Sequence, residues 1–369
     1  MPMITIAFTG GGTGGHIFPG LAVAAYLQKL TPCRIFWIGS KAGMDRSIVE
    51  EGGLEFFGIP AGKLRRNFSL RNFADVFKVL GGFFAARKIL KREKPLLLFS
   101  KGGFVSVPPC AAAFSLKIPV FTHESDYSPG LATRINAKFA NRIFTAFPDT
   151  AAFFPARVRE RVVLAGNPIR PEFRSGDPAL GRAFLGAGEG DRILLVLGGS
   201  LGARQLNELV RAALPELTRL YVVVHQTGPK TEWDLPAGGR YKPYPFIRGE
   251  LPHVIAAAEL VLCRSGAGTV WECAAAGKPL VLVPLSGSGT RGDQAENAGY
   301  LEKEGAAAVL LGELTPQRLT ETLGVLAREG EKRRLMGEAA FRFAAPDGAR
   351  IIAGAIQALS SSCPQDRRA

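Results

Sequence analysis

Twice along this chain an apolar β-like run breaks into a glycine loop and then into a helical pattern. Met3-Ile4-Thr5-Ile6-Ala7-Phe8-Thr9 leads into Gly10-Gly11-Gly12-Thr13-Gly14-Gly15-His16, and Ile193-Leu194-Leu195-Val196-Leu197 leads into Gly198-Gly199-Ser200-Leu201-Gly202-Ala203. The two loops lie about half of the 369-residue chain apart. This repetition predicts two α/β domains of similar build, each opening with a loop suited to a phosphate or a sugar. Glycine lets backbone N–H groups approach an anion with no Cβ in the way, and the helix N-terminus adds partial positive charge. A substrate cleft between the halves is the expectation.

The rest of the chain keeps the alternation. Strand-like runs fall at 34–38, 55–59, 95–99, 118–122, 142–146 and 162–165, then at 193–197, 220–225, 260–263, 279–283 and 307–311. Strands alternating with helices predict parallel sheets, whose ligands collect beyond the carboxyl ends of the strands. Gly166-Asn167-Pro168-Ile169-Arg170-Pro171 interrupts the periodicity with two prolines and reads as an interdomain hinge. The expected domains are 1–165, 166–345, and a closing helix with a frayed tail over 346–369.

No apolar run approaches the roughly 18 residues that span a bilayer. The start lacks a basic stretch and runs straight into glycines, which reads as a first strand and not a signal peptide. Cys33, Cys110, Cys263, Cys273 and Cys363 are scattered without a CxxC pair, which points to a reducing compartment and no zinc site. Net charge is +14, and Lys63 to Lys94 carries ten basic residues against Asp75 and Glu93. Such a surface wants an anionic partner. Arg65, Arg66, Arg71, Lys78, Arg87 and Lys88 are interleaved with Phe68, Leu70, Phe73, Phe77, Leu80, Phe83 and Phe84. Bulky apolar side chains flanked by cations describe an interfacial membrane helix better than a nucleic-acid reader. Phe73, Phe77, Leu80 and Phe84, spaced by three and four, are expected on the core face. Phe68, Leu70 and Phe83 are expected at the membrane.

Gly10, Gly12 and Gly15 satisfy GxGxxG after a strand, but a dinucleotide site also needs an acid at the end of the second strand. Arg34-Ile35-Phe36-Trp37-Ile38 ends in Gly39-Ser40 instead, and no Gly-Lys-Ser/Thr follows the first loop to make a Walker site. His16, directly after the glycines, is placed to take a proton near neutral pH, or to cap and pack a helix. Lys101-Gly102-Gly103-Phe104 and His123-Glu124-Ser125-Asp126 also follow strands. Cys263-Arg264-Ser265-Gly266-Ala267-Gly268-Thr269-Val270-Trp271-Glu272 empties a strand into small residues and then a helix. Small residues there admit a diphosphate, and Glu272 can accept the two hydroxyls of a ribose or act as a first-turn acid on the helix dipole. Asp293-Gln294-Ala295-Glu296-Asn297 adds side chains suited to sugar hydroxyls.

Gly11 to His16, Gly166-Asn167-Pro168-Ile169-Arg170, Gly198-Gly199-Ser200, Arg264-Ser265-Gly266-Ala267, Glu272 and Gln294-Ala295-Glu296-Asn297-Ala298 fall in one order and spacing. In that combination the chain resembles the MurG family, bacterial N-acetylglucosaminyltransferases that convert lipid I to lipid II. The resemblance runs from the first strand to the last helix. It implies a GT-B fold of two Rossmann-like, doubly wound parallel-sheet domains, with acceptor and membrane on the N-terminal domain and UDP-N-acetylglucosamine (UDP-GlcNAc) mainly on the C-terminal one.

Carried over, the resemblance implies that Thr13, Gly14 and Gly15 touch the donor sugar and diphosphate, and that Ser200 binds phosphate. The backbone at Ile247 would read uracil, Glu272 the ribose, Ala267, Gly268, Thr269, Val270 and Trp271 the diphosphate, and Gln294 and Asn297 the sugar. Arg170 would sit near the nucleotide. Ser125-Asp126 stands where a Gln-Asn pair is usual, so Asp126 brings a carboxylate to the sugar. Phe104 replaces a common tyrosine, and Leu201 a common glutamine. Arg65, Arg66, Arg71, Phe68 and Leu70 would meet an anionic membrane at the cytoplasmic face of the bacterial inner membrane. The implied partners are UDP-GlcNAc, a polyprenyl-diphosphate-linked muramyl-peptide, and the cell-wall and division machinery, with no nucleic acid.

The implied reaction inverts the anomeric carbon. His16 is the candidate base and Glu124 its alternative. With no Asp-x-Asp pair for a metal and no cofactor expected, helix N-termini and basic side chains would stabilise departing UDP. A UDP-GlcNAc 2-epimerase or another UDP-sugar enzyme shares the implied fold, but gives the segment 63–94 no purpose.

Overall fold

The computed structural model describes residues 3–62, 70–199, 203–229, 239–285 and 291–362, and of residues 70–74 and 362 the backbone alone. The chain divides into two units between Ile169 and Arg170, and the first unit also takes everything from Pro346 onward.

In the first unit, β1 (Ile4–Thr9), β2 (Cys33–Ser40), β3 (Glu55–Ile59), β4 (Leu98–Ser100), β5 (Val120–Glu124), β6 (Arg142–Thr145) and β7 (Val162–Leu164) form one sheet. Their order is β3-β2-β1-β4-β5-β6-β7, and every pair is parallel. Both faces are covered, as a parallel sheet requires. Ile6, Phe8, Ile35 and Trp37 enter one apolar cluster, while Ala7, Phe36 and Ile38, one residue out of phase, enter another. The order reverses direction between β1 and β4. At such a switch point the flanking connections leave in opposite directions and open a crevice beyond the strand ends.

The last helix, Gly348–Ser362, presents Ala349, Ile352, Ala353 and Ile356 to the first cluster and packs on the helix Phe18–Leu30. That three-four spacing makes it a covering layer of the first sheet, where a separate closing element after the second domain was expected.

In the second unit, β8 (Ile193–Leu197), β9 (Val222–Gln226), β10 (Tyr241–Tyr244), β11 (Leu260–Cys263), β12 (Leu280–Leu282) and β13 (Ala307–Val309) run parallel in the order β10-β9-β8-β11-β12-β13. The switch point lies between β8 and β11. Strand β10 is absent from the sequence reading. Its Tyr-Lys-Pro-Tyr has no apolar run, and a proline is tolerated because the strand sits at the sheet edge.

The helix Leu70–Glu93 faces the opposite way from expectation. Phe77, Leu80 and Phe84 are 69%, 50% and 66% exposed, joined by Val76, while Phe83 packs half-buried on the core beside Ala86 and Leu90. The reason is steric. A Cβ on Gly82 would collide with the Pro60 carbonyl and touch Pro108, so the inward stripe is a close approach that admits only small residues there. Phe73 carries no described side chain, and neither do Leu70 and Arg71. Arg65, Arg66 and Phe68 lie outside the described residues.

Candidate active site

The first glycine loop is held from beneath. Asp45, fully buried just past the end of β2, accepts the Gly12 N–H on Oδ1 at 2.9 Å and the Ser40 N–H on Oδ2 at 3.0 Å. The strand end itself carries Gly39-Ser40, and Asp45, the first residue of the following helix, is committed to the loop's own backbone. A Cβ on Gly11 would collide with that carboxylate, and Gly12 has φ +88° and lies against the Phe104 ring. Trp37 Nε1 donates to the Gly10 carbonyl at 2.9 Å. Gly14–His16 then forms a single 3-10 turn ahead of the helix Phe18–Leu30.

His16 is half-buried, with Nδ1 3.3 Å from the main-chain carbonyl of Lys101. A carbonyl only accepts, so this contact places the proton on Nδ1 and the lone pair on Nε2. Gly103 is required where the two loops meet, because a Cβ there would strike the Gly11 carbonyl and press on the imidazole.

The loop after β5 is equally constrained. Glu124 is buried and receives the N–H groups of Ser125 (2.9 Å) and Asp126 (3.0 Å) on Oε1 and of Gly130 (3.0 Å) on Oε2. Both of its oxygens organise the backbone, which is a poor posture for the alternative base. His123 is also buried, with Nε2 3.0 Å from the Gly166 carbonyl. Burial first, and the nearby Lys101 charge second, hold it neutral, far below its usual range.

In the second unit, Arg264 is buried at the end of β11 and donates to the carbonyls of Val283 and Pro284 and to Gln205 Oε1, at 3.0, 3.1 and 3.1 Å. Ser265 Oγ donates to the Gln294 carbonyl at 2.7 Å, tying this strand end to the helix Asp293–Lys303. Gly266 then caps the helix Ala267–Ala275. Ala267, Gly268 and Thr269 are partly exposed, and their N–H groups, the first of the helix, have no acceptor within it. Val270 and Trp271 are both 1% exposed, with the Trp271 ring tilted against Phe343 at 4.3 Å between centroids, so their side chains belong to the core.

Glu272, with 19% of its side chain exposed, faces Arg170 at 3.5 Å. Burial pushes its carboxyl up to about 7 against the opposing pull of Arg170. Gln294 Oε1 accepts the Leu285 N–H at 2.9 Å, and its amide nitrogen points toward Gly266. Asn297 is buried and donates to the Ser265 carbonyl at 3.1 Å, a scaffolding contact. The Ile247 N–H is taken by Gln226 Oε1 at 3.0 Å, which leaves its carbonyl as the backbone group not engaged by that contact. Thr13 and Gly15 are exposed, Gly14 is buried and Asp126 half-buried. Ser200 lies outside the described residues.

Asp45, Lys101 and Gln226 were not singled out as site residues in the sequence. A polar residue within a few positions of a strand's carboxyl end was the available signal. Among the described residues no cluster of three or more His, Cys, Asp or Glu could hold a metal.

The glycosyltransferase family 28 N-terminal domain matches residues 6–145, and the family 28 C-terminal domain matches residues 193–352. A Treponema denticola protein named UDP-N-acetylglucosamine–N-acetylmuramyl-(pentapeptide) pyrophosphoryl-undecaprenol N-acetylglucosamine transferase is 50% identical over 99% of this chain and all of its own length. The chain belongs to the MurG family of glycosyltransferases. A Shouchella clausii protein of the same name is 44% identical over 86% of this chain and 90% of its own. The crystal structure of Acinetobacter baumannii MurG matches with a TM-score of 0.74 at 29% identity, covering 97% of this chain and all of that one. The fold, two Rossmann-like units of the GT-B class, is thus that of the MurG family. A Neisseria meningitidis UDP-GlcNAc 2-epimerase shares the fold alone, with a TM-score of 0.66 at 13% identity over 96% of this chain and all of that one.

The state of Glu272 yields a test. Ribose hydroxyls donate, so the ionised carboxylate is the binding form, whereas a carboxyl titrating near 7 is mostly protonated at pH 6. Affinity for UDP-GlcNAc, whose diphosphate does not titrate in this range, should rise about tenfold from pH 6 to pH 8, with a proton released on binding. Calorimetry in buffers of different ionisation enthalpy reads both quantities, and Glu272→Gln should flatten the profile. A flat profile in the unmodified protein removes Glu272 from the ribose.

Proposed function

We propose that this chain transfers N-acetylglucosamine from UDP-GlcNAc to undecaprenyl-diphosphate-linked N-acetylmuramyl-pentapeptide, converting lipid I to lipid II in peptidoglycan biosynthesis, with His16 as the base. The observation that carries the reaction is full-length identity of 50% to a transferase of that name, together with both halves of the family 28 match. The epimerase reading rests on fold alone.

The second unit supplies the donor site. The N-terminus of the helix Ala267–Ala275 faces the diphosphate with unpaired N–H groups and positive dipole. Glu272 takes the ribose, Gln294 the sugar hydroxyls, Ser200 a phosphate, and the Ile247 carbonyl the uracil. From the first unit, Thr13, Gly14, Gly15 and Asp126 meet the donor sugar. The acceptor hydroxyl loses its proton to His16 Nε2 as its oxygen attacks the anomeric carbon, and UDP leaves on the opposite face, which inverts the centre. The imidazolium that forms keeps its Nδ1–H on the Lys101 carbonyl. Glu124, engaged by three amides, is set aside as base.

The acceptor is anchored in a bilayer, and no helix among the described residues is long and apolar enough to cross one. The exposed stripe Val76, Phe77, Leu80 and Phe84, flanked by Lys78, Arg87 and Lys88, supports peripheral docking at the cytoplasmic face of the inner membrane. Cations near an anionic leaflet contribute about 1 kcal/mol each, and inserted apolar side chains add a salt-insensitive part.

His16→Ala should lower turnover by roughly 10²–10⁴ while leaving UDP-GlcNAc affinity nearly unchanged. Near-normal turnover would return His16 to a structural role. At the membrane, Phe77→Ser combined with Leu80→Ser and Phe84→Ser should release the protein from anionic vesicles in a sedimentation assay without lowering its thermal midpoint. Unchanged sedimentation would place the docking surface elsewhere.

A further inference from the structure

Lys101 is a lysine with 1% exposure at the switch point of the first sheet, and it touches three loops at once. Its N–H donates to the Thr9 carbonyl at 2.8 Å, extending the β1–β4 pairing by one residue. Its carbonyl lies against His16 Nδ1 at 3.3 Å. Its Nζ donates at 2.6 Å to Ser125 Oγ, which in turn donates at 2.7 Å to Asn167 Oδ1. A residue used merely to fill this space would be apolar, because burying an ammonium is costly unless it is balanced and hydrogen-bonded.

Two carboxylates are near enough to balance it, Glu124 and Asp126, while the buried imidazole of His123 faces it as a neutral group. Glu124 is already stabilised by three amide donors. Asp126 is the carboxylate beside the Ser125 relay. We propose that Lys101 is a positioning residue for the transfer: its carbonyl orients His16, and its ammonium, balanced by Glu124 and Asp126, clamps the Ser125–Asp126 loop to the same anchor through Ser125 Oγ. Base and loop are thereby held as one body. Burial brings the ammonium down to about 8, with Glu124 and Asp126 opposing that fall, which agrees with a cation kept by its counter-charges. The inference rests on the reading of His16 as base.

The test is a mutant cycle on the full-length protein, with Lys101→Met, Asp126→Asn and the double variant assayed with UDP-GlcNAc and a polyprenyl-diphosphate-linked muramyl-peptide. Lys101→Met should lower kcat by about thirtyfold, with acceptor KM and UDP-GlcNAc affinity changed less than about threefold. The double variant should regain about tenfold of that loss, because the only carboxylate then left without the cation is Glu124, which three amide donors already hold. A Lys101→Met enzyme within about threefold of normal kcat, or a double variant no faster than Lys101→Met, overturns the proposal. If Lys101→Met does not fold, Ser125→Ala interrupts the same relay with a smaller change. It should lower kcat about tenfold at unchanged KM, and an unchanged kcat overturns the proposal. His16→Ala run alongside separates the two readings. A slow His16→Ala with no coupling in the cycle rejects the role of Lys101 alone, and a near-normal His16→Ala rejects the base on which it depends.

Discussion

A buried backbone amide must find an acceptor, and the loops proposed to carry this protein's chemistry depend on side chains meeting that requirement. Asp45 does so for Ser40, and Glu124 for Gly130, and the same carboxylates take the part-buried bonds from Gly12, Ser125 and Asp126. Gln226 does so for Ile247 in the second unit, and Gln294 also takes the exposed Leu285 N–H. Each acceptor comes from a strand end or a neighbouring helix, so the rigid sheet fixes the loop. Leaving such an amide unpaired costs about 1–3 kcal/mol, enough to let a loop take another conformation. The preorganisation on which electrostatic catalysis rests begins with these contacts.

The same constraint separates groups proposed to meet substrate from side chains committed to the protein's own backbone. Glu124, Asn297 and the Ile247 N–H are occupied by the protein itself, whereas the first amides of the helix Ala267–Ala275 have no acceptor within the helix. Glu272 stands between the two classes. Arg170 lies close enough to oppose the effect of burial but leaves the carboxyl near neutrality. A carboxyl poised there is suited to ionise when hydroxyl donors arrive.

Much of this was legible in the sequence. The two glycine loops announced two parallel sheets, and the loops at their switch points were those singled out, since strand ends and small residues leave local signatures. The inside and outside of the helix Leu70–Glu93 were not legible. Periodicity locates a stripe of large apolar residues, but Gly82 and Ala86 show that the buried stripe was the one with small residues, set by the approach of Pro60 and Pro108. Strand β10 lacked an apolar run because an edge needs none. Val270 and Trp271 belong to a motif, yet their position on the helix turns them into the core. The scaffolding role of Asp45 needs three-dimensional proximity to the loop before it, which no local pattern encodes.

The central claim is that the sugar of a nucleotide-sugar donor is transferred here to a lipid-linked acceptor, with release of the nucleotide. The most direct measurement is product analysis after incubating the purified protein with UDP-[14C]GlcNAc and a polyprenyl-diphosphate-linked N-acetylmuramyl-pentapeptide. The account predicts that label moves into a lipid-extractable β-linked disaccharide, with UDP released in equal amount and only when acceptor is present. Label remaining in the aqueous phase as a 2-epimer of the donor, whether or not acceptor is present, would contradict it.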